Sequence, residues 1–124
     1  MLRGSSSVPA TPAPGEQTIV VPLPPEIDVS NEVQVREALA SALAGKPEVV
    51  IADGTATEFC DCAAVTGLIT AHQRAAAEDA QLRVVLTSAR VLRVVELIGA
   101  ERVLRVYPSL DRALANGHAQ SPPA

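Results

Sequence analysis

The sequence predicts an α/β domain built on a mostly parallel sheet, and three observations carry that prediction. Short apolar runs without polar alternation, Val49-Val50-Ile51-Ala52 and Val84-Val85-Leu86, have the character of strands buried on both faces. Segments with helical spacing of apolar residues lie between these runs, and strands that alternate with helices pair in parallel. Proline, glycine and serine stand at the joints, where helices start and stop.

Taken in order, Thr18 to Leu23 is β-branched and closed by prolines, and so reads as the first strand. Residues 24–30 form a turn or a short second strand. Asn31 with Gln34 three residues on resembles a helix start, and Val35, Leu39 and Leu43 then repeat at helical spacing until Gly45-Lys46-Pro47. Residues 48–53 form a buried strand, and residues 54–61 a loop. From Cys62 to about Glu78 the chain is expected to be helical, with Val65, Leu68, Ala71, His72 and Ala75 on one face. Residues 82–87 are the next buried strand. Ser88 is a good N-cap and Gly99 a good stop for a helix with Val91, Leu92, Val95 and Ile98 inward. Residues 102–107 suggest a last strand, and a short helix follows, capped by Ser109.

Composition narrows the function. The chain has 124 residues, one small domain's worth, of which 48% are hydrophobic but only 2% aromatic, so the core must be aliphatic. A net charge of −4 with so few aromatics argues against nucleic-acid binding, which needs a basic footprint and stacking surfaces. No apolar run approaches a membrane span. The first residues lack the apolar core of a signal peptide, so a cytoplasmic chain with reduced thiols is expected. Ser, Pro, Ala and Gly dominate residues 1–17, which read as a disordered arm; residues 18–116 are the expected domain and residues 117–124 a disordered tail.

In open α/β sheets, chemistry gathers at the C-terminal ends of strands and at helix N-termini. Here that edge holds Asp53, Thr55, Thr57, Glu58, Asp61 and Cys62, with Asp28 able to approach. Cys60-Asp61-Cys62 is too small a set for zinc, which takes four ligands; no metal and no cofactor are expected. Nucleophilic catalysis by Cys62 would need a base, and His72 lies ten residues along the same helix, about 15 Å away. A receiver-like phosphoprotein using Asp53 lacks the lysine after a later strand, since Lys46 is the single lysine. No glycine-rich phosphate loop is present. An enzyme is therefore not expected.

The residues resemble a known family. Glu26-Ile27-Asp28, the Phe59-Cys60-Asp61 triplet before a helix, and the ending Val91-Leu92-Arg93 through Leu114 resemble the STAS domain of anti-sigma factor antagonists, over roughly residues 18–115. The resemblance implies a small mixed, mostly parallel sheet with helices packed on one side. It implies a role in partner switching, in which the unmodified antagonist binds an anti-sigma factor, often a GHKL-type serine kinase, and phosphorylation of a serine at a helix start blocks the complex. Phosphate adds about −1.5 to −2 charge at such a site, which suffices to switch binding. At this point the family reads Asp-Ser-Ser-Gly, whereas this chain reads Asp61-Cys62-Ala63-Ala64. Cys62 stands at the phosphoacceptor position. Asp28, Thr57, Glu58, Asp61, Cys62, Ala63 and Thr66 are the expected partner-binding residues, on a monomer or weak homodimer. Two alternatives follow from the missing serine: a scaffold that does not switch, and a thiol-based redox sensor using Cys60 and Cys62.

Overall fold

The computed structural model describes residues 17–115. The expected arm and tail lie outside the described residues, except Gln17, whose carbonyl accepts the Glu48 and Val49 amides at 3.0 and 3.2 Å.

Four strands make the central sheet: β1 (Thr18–Pro22), β3 (Val49–Gly54), β5 (Gln81–Leu86) and β6 (Arg105–Tyr107), in the spatial order β1-β3-β5-β6. Every pairing in it is parallel, with Thr18 opposite Val49, Val49 opposite Gln81, and Arg83 opposite Arg105. β3 and β5 are central, which is why their side chains are apolar on both faces. Two-residue strands, β2 (Glu26–Ile27) and β4 (Phe59–Cys60), form a separate parallel pair. The segment expected to be a loop thus contains β4, a strand too short for periodicity to reveal.

The helices are α1 (Glu32–Ala44), α2 (Cys62–Ala77), α3 (Ala89–Ile98) and α4 (Leu110–Ala115). Leu39 and Leu43 of α1, Val65 and Leu68 of α2, and Val91 and Val95 of α3 meet Val50, Ala52, Leu82, Val84 and Leu86 in one core on one face of the sheet. Small residues on α2 (Ala64, Gly67, Ala71 and Ala75) let its neighbours approach closely; a Cβ at Gly67 would stand 2.5 Å from the Glu32 carboxylate. The one-sided packing holds for α1, α2 and α3. The short α4 crosses to the other face, where Ala113 packs on Val49, Ile51 and Val85. Arg83 fixes it there: this buried guanidinium donates to the Ala113 carbonyl at 2.7 Å and to the Gln81 side chain at 2.6 Å.

The caps are mostly those expected. Ser88 accepts the Val91 amide at 3.3 Å, Ser109 accepts the Arg112 amide at 3.1 Å, and Gly99 ends α3 with φ 82°. Asn31 differs. Its side chain makes no capping bond to α1. It instead accepts the Asp28 amide at 2.9 Å and donates to the Glu26 carbonyl at 2.8 Å, so it locks the turn before the helix. The expected last strand is shorter than residues 102–107, because Ala100–Arg102 form a 3-10 turn that drops Leu104 into the core.

Candidate functional site

The β2–β4 pair assembles the site. Ile27 lies opposite Cys60, and the Asp61 amide donates to the Ile27 carbonyl at 3.2 Å. The residues that follow each strand, Asp28 and Asp61, are thereby brought to one edge, where α2 begins. Two residues separated by 32 intervening positions in the chain come to the same edge because two very short strands pair in register.

Asp61 is the N-cap of α2. Its backbone is extended, and its carboxylate accepts the Ala64 amide at 2.9 Å, satisfying one of the amides that a helix start leaves without an intrahelical partner. Cys62 is the first helical residue, and its free thiol is exposed. Ala63 is half-buried beside it, and Ala64 is buried. Thr66 is exposed one turn later, with its hydroxyl donating back to the Cys62 carbonyl at 2.9 Å. The Asp28 carboxylate accepts the Ser30 hydroxyl at 2.6 Å and the Ser30 amide at 2.9 Å; these bonds favour the ionised form and hold its pKa below the ordinary carboxylate range. Asp53 braces the start of the β3–β4 loop by accepting the Thr55 amide at 3.0 Å.

Thr57 departs from its expected role. The sequence places it on an exposed partner-binding loop, but only 1% of it is accessible, and its hydroxyl donates to the Pro24 carbonyl at 2.8 Å. Thr57 therefore ties the β3–β4 loop to the β1–β2 connection and cannot contact a partner directly. Glu58, next to it, is exposed.

The two cysteines differ sharply. Cys60 points into the core and is 3% exposed; burial first, then the charges of Asp61 and Cys62, push its thiol up to about 11. A thiol held protonated at neutral pH is a poor redox partner, so the geometry works against a Cys60–Cys62 sensor. His72 sits farther along α2, half-buried, with its Nδ1 atom buried and without a hydrogen-bond partner; burial, and then Arg105, make it less basic than an ordinary histidine. Among the described residues no cluster of three or more His, Cys, Asp or Glu side chains could hold a metal ion. No helix among them is long and apolar enough to cross a membrane.

The sequence does not reveal the exposure of two apolar residues at this edge. Phe59 is 41% exposed on β4, and Val29 is 74% exposed just beyond β2. The available signal was the scarcity of aromatic residues: this is the one Phe in the chain, and it immediately precedes Cys60-Asp61. Without β4, strand alternation could not say which way it faces.

A short parallel sheet with a capped helix start beside the β2–β4 pair defines a small domain of the α/β class. The STAS domain model matches residues 10–113, and the chain belongs to that family. It is 38% identical over 96 residues to Rv2638 of Mycobacterium tuberculosis, a candidate anti-anti-sigma factor; the match covers 76% of this chain and 65% of the relative, so this chain spans about two-thirds of that protein's length. It is 26% identical over 113 residues to RsfA of Mycobacterium tuberculosis, an anti-sigma-F factor antagonist, covering 90% of this chain and 88% of the relative. The crystal structure of an anti-sigma factor antagonist from Mycobacterium paratuberculosis superposes with a TM-score of 0.76 at 24% identity, over 86% of this chain and 88% of the other.

Proposed function

We propose that this protein is an anti-sigma factor antagonist of the cytoplasm that works by binding rather than catalysis. Its partner is an anti-sigma factor of the GHKL serine-kinase type, engaged through the start of α2 and the paired edge of β2 and β4. The domain spans residues 18–116 and acts as a monomer or weak homodimer. Asp28, Glu58, Asp61, Cys62, Ala63 and Thr66 form the contact face.

One observation carries this reading. Cys62 is the exposed first residue of α2, directly after the Asp61 cap, where the family resemblance expects a phosphoacceptor serine. A thiol has the shape of a serine hydroxyl but is not an acceptor for a serine kinase. The chain therefore keeps the binding surface and loses the release step, which makes it a constitutive antagonist. Thr66 does not replace the serine, because it lies a turn further along and its hydroxyl is engaged with the Cys62 carbonyl.

The test uses the purified serine-kinase anti-sigma factors of the source genome with ATP and Mg²⁺. Intact-mass spectrometry should find the native chain unmodified and still bound. Cys62→Ser should take up one phosphate and dissociate. If the kinase also reads the next two positions, the added changes Ala63→Ser and Ala64→Gly should restore phosphorylation. Ala64→Gly weakens the helix by about 1 kcal/mol, which a folded domain tolerates. Phosphate on the native chain would overturn the constitutive reading.

A further inference from the structure

We propose that Phe59 is the apolar anchor of the partner contact, and that the edge it occupies fits an anti-sigma factor offering an apolar socket rimmed by arginine or lysine. This inference rests on the reading above and specifies the partner's surface.

The exposure of Phe59 follows from the way the site is built. Cys60 must turn inward to join the core, and Asp61 must stand at the helix start to cap Ala64. Strand alternation then turns Phe59 outward, into solvent. Aromatic residues make up only 2% of the chain, so a large ring on the surface is a use of scarce material rather than a byproduct of composition. Aromatic side chains, Phe among them, are also enriched at the cores of protein interfaces.

Charge indicates what covers the ring. Exposed Glu26 lies opposite Phe59 in the β2–β4 pair, exposed Glu58 precedes it in the chain, and Asp28 follows β2. The ion pairs of the described residues lie elsewhere, between Arg36 and Glu32 on α1 and between Arg74 and Glu78 near the end of α2. Among the described residues, the carboxylates around Phe59 thus have no ion-pair partner. The exposed cations Arg90 and Arg93 belong to α3, which packs against β4, so the acidic side of Phe59 is its β2 side. An apolar centre with an unneutralised acidic rim is complementary to an apolar pocket with a basic rim.

The probes are the purified anti-sigma factors of the source genome, titrated one at a time against the full chain by biolayer interferometry. Phe59→Ala should weaken the complex about 30-fold or more, as loss of an interface anchor does. Phe59→Leu, which keeps an apolar side chain on β4, provides a folded second variant and should weaken binding by an intermediate factor. The double change Glu26→Lys with Glu58→Lys should slow association and flatten its dependence on salt. Thermal melts confirm that each variant is folded. If the native chain binds but both Phe59 variants bind within about 3-fold of it, the anchor is refuted while the proposed function stands. If no anti-sigma factor binds the native chain, the proposed function and the anchor both fall.

Discussion

Replacing Asp61 by lysine separates what this residue does for the fold from what it does for a partner. Its carboxylate accepts the Ala64 amide at 2.9 Å, and no other acidic residue lies in the first turn of α2. Loss of an N-cap costs about 1 kcal/mol. A positive charge at the helix start adds about 0.3–1 kcal/mol of unfavourable interaction with the helix dipole. The total, about 1.3–2 kcal/mol, corresponds to a fall of roughly 10 °C in melting temperature for a domain of this size. Asp61→Asn keeps an oxygen for Ala64 and loses only the charge, so it should cost less than about 0.5 kcal/mol. Thermal and urea melts followed by circular dichroism measure both. A rim charge alone would leave stability nearly unchanged on mutation, and the capping bond is the reason to expect otherwise. If Asp61→Lys melts within a degree or two of the native protein, the cap contributes nothing and Asp61 serves the partner only. If the asparagine variant is stable but loses the anti-sigma factor, the charge itself belongs to the interface.

Other expected outcomes follow from single contacts. A Cβ at Gly54 would stand 2.6 Å from the Val85 carbonyl, a backbone atom that cannot step aside, so Gly54→Ala should lower stability by about 1–3 kcal/mol in urea titrations. Burial and Arg105 make His72 less basic in the folded chain than in the unfolded one. The unfolded chain therefore takes up the proton first as pH falls, and the contribution of neutral His72 is complete above the usual value of about 6.5 and is lost below it. Urea midpoints should drop between about pH 7.5 and 5.5, and His72→Gln should flatten that slope; an unchanged slope rejects the assignment. Iodoacetamide should label exposed Cys62 rapidly in the native protein and reach Cys60, with its thiol pushed up to about 11, only on unfolding. Equal labelling of both would contradict the inward orientation of Cys60.

Much of this fold was legible because long-period signals are strong. The apolar runs Val49–Ala52 of β3 and Val84–Leu86 of β5, the Ser88 and Ser109 caps, and the left-handed Gly99 stop all follow from local chemistry that tertiary context did not override. The site was only partly legible. Asp28 and Asp61 could be nominated from resemblance, but their placement at one edge depends on a pairing of two-residue strands, which leaves no period in the sequence. Thr57 looks like an exposed loop threonine until the Pro24 carbonyl is found 33 residues back in the chain. Asn31 has the composition of a cap but is recruited by the turn in front of it. Arg83 interrupts an otherwise apolar strand, and its acceptor on α4 becomes visible only when that helix is folded across the sheet.

The absence of a hairpin in the central sheet has a consequence for the birth of the protein. Each pairing joins strands separated by a helix, as Thr18 meets Val49, Val49 meets Gln81, and Arg83 meets Arg105. β1 leaving the ribosome finds no neighbour until α1 and β3 have been made, and the central β3 stays half-paired until β5 follows. Nonlocal pairing of this kind is slow and leaves strand edges open in the interval. A nascent chain stalled between α2 and β5 would carry an apolar strand with one bare flank. The region from α2 to β5 is therefore where synthesis rate and chaperone access should most affect the yield of folded domain.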